Sequence, residues 1–161
     1  MTDTIMLGGI EVRVDARGKS EALYCAPESA LDAEAITALK ARLASGTSGT
    51  IRICFHSGQE SPVHDMVIAH KRGSYAPAHK HETKDETYQM IEGRMRIDFF
   101  DDAGKVARTK TLGAPESGLP FMIRIPRGVW HATVAESEII VFHESRPGPF
   151  HGTDSVVQDK T

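Results

Sequence analysis

The sequence predicts an all-β domain with one amphipathic helix, and two observations support this fold class. Between residues 51 and 145, short apolar runs that alternate with polar residues recur at a spacing of about ten residues, as strands do. Turn-forming stretches separate the runs, namely DDAG at 101–104, a Gly- and Pro-rich segment at 113–120 and PRG at 126–128. Regularly spaced short strands with such turns favour a β-sandwich or a β-barrel.

The predicted strands are short, and each is placed by its alternation of apolar and polar residues. Two of them precede the helix, IEVRV at 10–14 and EALYC at 21–25. After the helix the strands are IRICF at 51–55, DMVIAH at 65–70, the stretch at 73–93, RMRIDFF at 94–100, KVARTKTL at 105–112, FMIRIP at 121–126, WHATVA at 130–135 and EIIVFHE at 138–144.

The helix is predicted by apolar residues that recur with helical spacing, which are Leu31, Ala35, Ile36, Leu39 and Leu43. Ser29-x-x-Asp32 resembles a capping box with Asp in place of Glu, and Gly46 suits the position just past the helix end. We therefore expect one helix of about 12–15 residues whose apolar side lies on a sheet.

The composition is that of one ordinary globular domain. Of its 161 residues, 40% are hydrophobic and 25% are charged, and a net charge of −3 without a basic patch argues against nucleic acid as a partner. The sequence lacks the apolar run of about 18 residues that a membrane span needs, and its first residues do not resemble a signal peptide. The two cysteines, Cys25 and Cys54, stand in unrelated contexts, so we expect reduced thiols and a cytoplasmic protein.

The stretch Gly73–Gly93 holds His79, His81 and Glu86 within eight residues. His79 and His81 are two positions apart and share one face of a strand. Glu86 is an odd number of positions from His81, so an uninterrupted strand would point its side chain to the opposite face. A turn at 83–85 would let Glu86 return on the next strand and meet the two imidazoles. Neutral imidazoles and a carboxylate that converge are ligands for a divalent transition metal.

A fourth ligand is predicted at His131. In IPRGVWH, Pro126 and Gly128 make a tight turn, and His131 opens the following strand. Three neutral imidazoles and one carboxylate leave a divalent ion with a net positive charge and open coordination positions. Such a centre polarises a carbonyl, ionises bound water or holds O₂ beside a chelating substrate. These ligands are compatible with iron, manganese, zinc or nickel, so the metal identity stays open.

These two segments resemble the two motifs of the cupin superfamily. The first motif matches at its fixed positions, which are Gly73, His79, His81, Glu86 and Gly93. The second matches at its centre, Pro126-x-Gly128-x-x-His131, and departs at Pro120 and Ala135, neither of which is a ligand position. The resemblance implies a double-stranded β-helix, the jelly-roll cupin barrel, with the N-terminal helix packed on it.

A longer resemblance, over roughly residues 30–150, is to the WbuC family of cupin-fold metalloproteins. It is carried by the run from Arg52 through His56 and Asp65, and then by GSYAPAHKH, FFDDAGKV and VFHESRPGPF. It implies one divalent metal, a homodimer and a place in bacterial surface-polysaccharide metabolism, without naming a reaction. The expected division is N-terminal strands and helix at 1–49, the cupin metal-binding barrel at 50–150 and a flexible tail at 151–161.

Arg52, His56 and Tyr88 are the candidate catalytic residues on the pocket wall. Arg52 and His56 share one face of the predicted strand, and Arg52 could hold a substrate carboxylate or phosphate through its planar guanidinium. The alternative is that this face is a solvent-exposed edge. Tyr88 has the same parity as Glu86 and is expected to line the pocket, whereas Met90 is expected in the core.

Other polar residues have a structural interpretation beside the functional one. His64 lies two residues after Pro62 and suits either a turn or the pocket. His143 and Glu144 are adjacent on a strand, so at most one of them faces inward. His70 is expected on the surface. Cys54 has no base beside it in sequence, so we do not expect a catalytic thiol.

The function that these patterns favour is metal-dependent chemistry on a small polar molecule, by isomerisation or epimerisation. The resemblance to the WbuC family implies that this molecule is a sugar or sugar-nucleotide intermediate. The first alternative is an iron-dependent dioxygenase of a small molecule. The second is a non-catalytic module that binds a small ligand through its metal. Oxygen consumption separates the first alternative from the isomerase, and tight binding without turnover supports the second. No nucleic acid and no membrane is expected as a partner.

Overall fold

The computed structural model describes residues 3–18, 20–74 and 77–158, and about half of the structure, 49%, is β-strand. In chain order the strands are β1 (Thr4–Leu7), β2 (Ile10–Asp15), β3 (Glu21–Cys25), β4 (Thr50–Cys54), β5 (Val63–Lys71), β6 (His79–His81), β7 (Glu86–Glu92), β8 (Arg94–Phe100), β9 (Val106–Gly113), β10 (Met122–Ile125), β11 (His131–Ala135), β12 (Ile139–Pro147) and β13 (Ser155–Val157). One α-helix, α1 (Ala33–Ser45), occurs in the described residues, with a short 3₁₀ helix at Pro115–Ser117. The predicted β class with one helix is confirmed.

The strands form two sheets. The larger has eight strands in the order β1-β2-β3-β4-β5-β12-β7-β10, and the smaller has five in the order β13-β6-β11-β8-β9. β3 and β4 are parallel neighbours, and α1 is the crossover that connects them, whereas the other described pairings are antiparallel. A parallel pair needs such a crossover, which explains why the helix falls between these two strands.

Helix α1 packs on one face of the eight-stranded sheet, as the sequence predicts. Its buried side chains join an apolar cluster with β2, β4 and β5, and they are Ala35, Ile36, Leu39 and Leu43. The hairpin between β1 and β2 also meets the helix, because a Cβ at Gly8 would lie 2.5 Å from the Cα of Ala35. Gly8 has a φ of +52°, so both the turn and the close approach require glycine.

The start of α1 differs from the predicted capping box. Asp32 is the N-cap, and its side chain accepts a hydrogen bond from the backbone N–H of Ala35 at 3.0 Å. The hydroxyl of Ser29 instead donates to the carbonyl of Ala26 at 2.8 Å. The helix therefore begins one turn later than the Ser29 pattern indicated, and the Asp that was expected to assist the cap is itself the cap.

A second apolar cluster fills the space between the two sheets. Met90, Met95, Ile97 and Ile125 are each no more than 1% exposed there, so Met90 is a core residue as predicted. Ser155–Val157, which lie in the segment expected to be a flexible tail, form β13 and pair with β6. Among the described residues, no helix is long and apolar enough to cross a membrane.

Candidate metal centre

The four predicted ligands come from the two facing sheets. His79 and His81 lie on β6, and His131 opens β11 directly opposite His79 in the five-stranded sheet. Glu86 is the first residue of β7, which belongs to the eight-stranded sheet. Residues 82–85 thus cross from one sheet to the other, rather than folding back beside β6 in the same sheet. This crossing removes the parity conflict, because Glu86 faces the imidazoles across the space between the sheets.

The side chains of Glu86, His81 and His131 are nearly inaccessible to solvent, at 2%, 4% and 1% exposure. Oε1 of Glu86 lies 2.6 Å from Nε2 of His131, and Oε2 lies 3.4 Å from Nε2 of His81. One ligand atom each from His79, Glu86 and His131 lies within 4.8 Å of the others, so these three residues could hold a metal ion. Ligands bound at about 2.0–2.2 Å to one ion are separated by distances of this order.

The opposite ring nitrogens are held by backbone carbonyls. Nδ1 of His79 is 3.0 Å from the carbonyl of Pro77, and Nδ1 of His131 is 2.9 Å from that of Val129. Nδ1 of His81 is 3.3 Å from the carbonyl of Asp154. A carbonyl only accepts, so each Nδ1 carries a proton and each Nε2 is the ring nitrogen that faces the site. This second layer of hydrogen bonds is what orients metal-binding histidines in proteins.

The buried polar atoms at the centre fit a metal ion. Among the described residues, Nε2 of His81, Nε2 of His131 and Oε1 of Glu86 have no hydrogen-bond partner of acceptable geometry, although they are buried. Buried polar atoms without partners are costly and rare. A cation bound among these atoms would satisfy all three at once, which hydrogen bonds between them do not.

Electrostatics at the centre favour ionised Glu86 beside neutral His79. Burial, reinforced by His131, lowers the pKa of His79 to about 4, so its imidazole is neutral at pH 7. Burial works to raise the pKa of Glu86, but the imidazoles of His131 and His81 outweigh it and the pKa lies well below its usual range. Burial also opposes charge on His81, but the Glu86 carboxylate raises the pKa of that imidazole. The site thus attracts a positive charge at the position where the metal would lie.

A cavity of about 180 Å³ opens beside the metal centre. Tyr88 and Arg52, both predicted pocket residues, line it together with Glu86. Tyr88 is 3% exposed, and burial raises the pKa of its hydroxyl well above the usual range. The wall also contains residues that the sequence analysis did not select, namely Thr50, His70, Thr133, Glu144, Arg146 and Ser155.

Glu144 and Arg146 are the most significant of these missed residues. They alternate on β12 and face the cavity, and Nε of Arg146 lies 3.5 Å from Oε1 of Glu144. Burial raises the pKa of Glu144, since its side chain is only 13% exposed and Arg146 compensates only in part. The alternation in FHESR, with Phe142 buried, was the signal that could have placed both residues on the inner face.

A second cavity of about 700 Å³ adjoins the first, and it contains the other predicted candidate, His56. The ring of His56 stacks on that of His64, with centroids 4.1 Å apart and planes 14° apart. His64, which suited a turn or the pocket, is a buried wall residue of this cavity. The two cavities share Arg52, Arg146 and Ser155. Arg52 lies on β4 between β3 and β5, so its strand is not a solvent-exposed edge.

Three further expectations concern His70, His143 and Cys54. The surface position expected for His70 is wrong: its ring lines the small cavity, with Nδ1 3.0 Å from the hydroxyl of Thr50 on the neighbouring strand. His143 points away from Glu144 and lies 3.3 Å from Asp65. Cys54 is 1% exposed, and burial raises the pKa of its thiol to about 12, which agrees with a structural thiol.

Comparison with known proteins gives one family and a fold. A family model described as a domain of unknown function, DUF6016, matches residues 31–112, just over half of the chain. This match includes His79, His81 and Glu86 and ends before His131. None of the curated proteins matches the sequence significantly.

Several solved structures resemble this one. KdgF from Halomonas sp. is 15% identical with a TM-score of 0.50, and the alignment covers 65% of this chain and 82% of KdgF. BH2720 from Bacillus halodurans is 13% identical with a TM-score of 0.53, covering 78% of this chain and 85% of that one. An oxalate oxidase in complex with the substrate analogue glycolate is 16% identical with a TM-score of 0.52, covering 70% of this chain and 57% of the oxidase.

This chain therefore spans less than two thirds of the oxalate oxidase. These neighbours are cupin-fold proteins. At such low identities the likeness shows the fold alone, and it supports a cupin fold for the chain.

Proposed function

The chain belongs to the DUF6016 family, whose function is unknown, and from its metal centre we propose that it is a metal-dependent cupin enzyme acting on a small polar molecule. The observation that carries this proposal is the set of buried ligand atoms without partners around Glu86, next to a cavity of about 180 Å³. Buried histidine nitrogens are usually satisfied by hydrogen bonds, whereas Nε2 of His81 and Nε2 of His131 face the site without one. A cavity beside such a centre gives a small molecule access to it.

His79, His81, Glu86 and His131 would hold one divalent ion. His79, Glu86 and His131 have the mutual distances for it, and His81 adds an Nε2 close to the second oxygen of Glu86. When bound, the ion would act as a Lewis acid toward a substrate oxygen. The choice among iron, manganese, zinc and nickel depends on geometry and availability, since imidazole and carboxylate accept each of them.

The chain supplies the groups that would orient substrate and move protons. Glu144 is opposite Tyr88 in the β7–β12 register, and both line the small cavity. A buried carboxyl group with a raised pKa is suited to take and return a proton, as isomerisation or epimerisation beside a carbonyl requires. Tyr88 keeps its proton and can donate a hydrogen bond to a substrate oxygen, while Arg52 and His56 would orient the rest of the molecule.

We propose a sugar or sugar-nucleotide intermediate of bacterial surface-polysaccharide metabolism as the substrate. This choice rests on the resemblance to the WbuC family over roughly residues 30–150. A homodimer is proposed on the same basis, and a cytoplasmic location is proposed from the two cysteines, Cys25 and Cys54, in unrelated contexts. The division at residues 49 and 150 also stays a prediction, although β1–β3, from the first segment, belong to the same sheet as β4, β5, β12 and β7.

The test is an assay of metal-loaded and chelator-treated protein on a panel of nucleotide sugars and small hydroxy or keto acids. Products are followed by NMR in deuterated water, and O₂ is followed with an electrode. Metal-dependent exchange of a substrate proton without O₂ uptake supports the isomerase or epimerase. Metal-dependent O₂ uptake would replace it with the dioxygenase. Ligand binding without turnover over the whole panel would favour the binding module.

Two variants sharpen this assay. Glu144→Gln removes the acid–base group but keeps its shape, and should lower the rate by a factor of about 10²–10⁴. Glu92→Gln is the matched control. Glu92 is the last residue of β7, at the opposite end of that strand from Glu86, and it pairs with Lys40 at 2.5 Å. Equal rates in wild type and Glu144→Gln would remove Glu144 from the mechanism.

A further inference from the structure

The junction between the two cavities contains an arginine, Arg52, that forms no ion pair within the described part of the chain. Arg52 lines both the small cavity beside the metal ligands and the adjoining cavity of about 700 Å³. Its terminal nitrogen donates to the hydroxyl of Ser20, which is a neutral acceptor. Its Nε–H is buried and has no hydrogen-bond partner among the described residues. No described carboxylate lies within 4.0 Å of its guanidinium.

The other charges around the larger cavity are paired. Arg17 contacts Asp15 at 2.7 Å, and its side chain is largely exposed to solvent. Arg146 lies 3.5 Å from Glu144, and its guanidinium also faces the ring of Phe150. Arg52 is thus the wall cation without a carboxylate partner in the described residues. A half-buried cation with an unused N–H is costly unless an anion completes it.

The shape of the guanidinium indicates what would complete it. Nε and a terminal nitrogen on the same edge form a planar fork that binds two oxygens of a carboxylate or phosphate. In Arg52 the terminal nitrogen already meets Ser20, whose hydroxyl can also donate to an anion. The free Nε–H, the hydroxyl of Ser20 and the nearby Ser155 together suit an acidic group at the junction.

The larger cavity has room and flat surfaces for the remainder of a ligand. Its volume of about 700 Å³ falls within the usual range for small-molecule sites. The stacked rings of His56 and His64 form one wall, and the ring of Tyr24 meets His56 edge-on at 5.7 Å. Burial lowers the pKa of both imidazoles, so they are neutral surfaces at pH 7.

We propose that Arg52 binds an anionic group, a carboxylate or a phosphate, of the ligand whose other end reaches the metal centre. The proposal rests on the proposed function and names its substrate class: an acidic metabolite that spans both cavities. Arg52 is then a specificity-determining residue, because a neutral analogue would leave its charge unmatched. The acidic group lies at the junction, and the body of the molecule extends into the larger cavity.

The experiment measures anion binding by chelator-treated protein, so that the metal cannot contribute. Inorganic phosphate and acetate are titrated separately at constant ionic strength, with chloride as the reference, and binding is followed by calorimetry and by the shift in Tm. Wild type should bind at least one of the two anions. Tighter phosphate binding would indicate a phosphate ester as the natural ligand, and tighter acetate binding would indicate a carboxylic acid.

Arg52→Met removes the guanidinium and keeps the apolar stem, and should weaken anion binding about tenfold or more. Arg17→Met is the matched control. It removes a guanidinium from the wall of the same cavity, but Asp15 already pairs with that guanidinium. It should change binding less than about twofold. Circular dichroism spectra and Tm values check that each variant is folded.

Two results overturn the proposal. The first is wild-type protein that binds neither phosphate nor acetate above the chloride reference, which does not depend on any variant folding. The second is a folded Arg52→Met protein that binds as well as wild type. Metal analysis of the same preparations before chelator treatment separates this inference from the proposed function. If the protein binds anions but carries no metal, only the proposed function is contradicted. If it carries metal but binds no anion, only this inference is contradicted.

Discussion

Oε1 of Glu86 lies 2.6 Å from Nε2 of His131, although the two residues belong to different sheets and are 45 positions apart in sequence. The contact is closer than the approach of Glu86 to His81, five residues away, at 3.4 Å. The candidate metal centre thus joins the two sheets and is not a local feature of the segment His79–His81. A bound ion would stabilise the packing of β7 against β6 and β11 as well as the site itself.

Glu86→Gln should reduce metal affinity strongly with little change in side-chain volume. The amide cannot supply the negative charge that offsets the ion, and loss of a direct ligand should exceed the roughly 10–100-fold cost of losing an outer partner. Metal titration of chelator-treated protein measures the difference. Glu82→Gln is the control, since Glu82 is 59% exposed and pairs with Lys80. Equal affinities in Glu86→Gln and wild type would exclude Glu86 as a ligand.

Lys84→Met should loosen the C-terminal strand and weaken metal binding indirectly. Nζ of Lys84 contacts Asp154 Oδ2 at 2.6 Å and also the carbonyl of Pro149. This attachment holds the segment whose Asp154 carbonyl and Ser155 hydroxyl face Nδ1 of His81. We expect faster amide exchange in β13 and about tenfold weaker metal binding.

The exposed Lys110 on β9 provides the control for this change. Lys110→Met should leave both the exchange of β13 and the metal affinity as in wild type. Unchanged exchange in Lys84→Met would show that the ion pair does not hold the segment.

Asp32→Ala should destabilise the protein by about 1 kcal/mol, because the N–H of Ala35 loses its side-chain acceptor. Ser29→Ala should cost less, since its hydroxyl bonds the Ala26 carbonyl ahead of the helix. Urea unfolding of both variants measures the free energies. A larger decrease in the free energy of unfolding for Ser29→Ala than for Asp32→Ala would indicate that Ser29, and not Asp32, is the N-cap.

His64 should make metal-free protein less stable as the pH falls below 6.5. Burial lowers the pKa of His64 in the folded state, so the unfolded chain takes up the proton first. Stability therefore rises with pH between the lowered pKa and about 6.5, the usual value for histidine. His64→Gln should flatten this slope in urea unfolding of chelator-treated protein. The exposed His151 is the control, and an equal flattening in His151→Gln would assign the slope elsewhere.

Local patterns predicted the elements better than they predicted the site walls. The four-residue apolar repeat located α1, and alternation located most of the strands, because both depend on neighbouring residues. The short β1 and β13 were missed: each has only three or four residues, and β13 is a strand because it pairs with β6. The sequence of such a short segment does not show which distant strand it pairs with.

The candidate metal ligands were identifiable because their spacing is itself a motif, and the parity of Glu86 predicted a turn at 83–85. Glu144, Arg146 and His70 were not selected, since alternation shows that a residue faces inward but not which cavity it meets. His70 faces the small cavity because it is opposite Thr50 on β4, a relationship set by strand register. Arg52 was selected from strand parity, but its missing carboxylate partner is a property of the folded protein.

Metal analysis of freshly purified protein tests the central claim most directly. Wild type should carry about one divalent transition metal ion per chain, and the double variant His79→Ala, His81→Ala should carry almost none, because two of the four imidazole and carboxylate ligands are gone. Mass spectrometry of the digested protein, with protein concentration from amino-acid analysis, gives the ratio. Undiminished metal in a folded double variant would contradict the assignment of this centre.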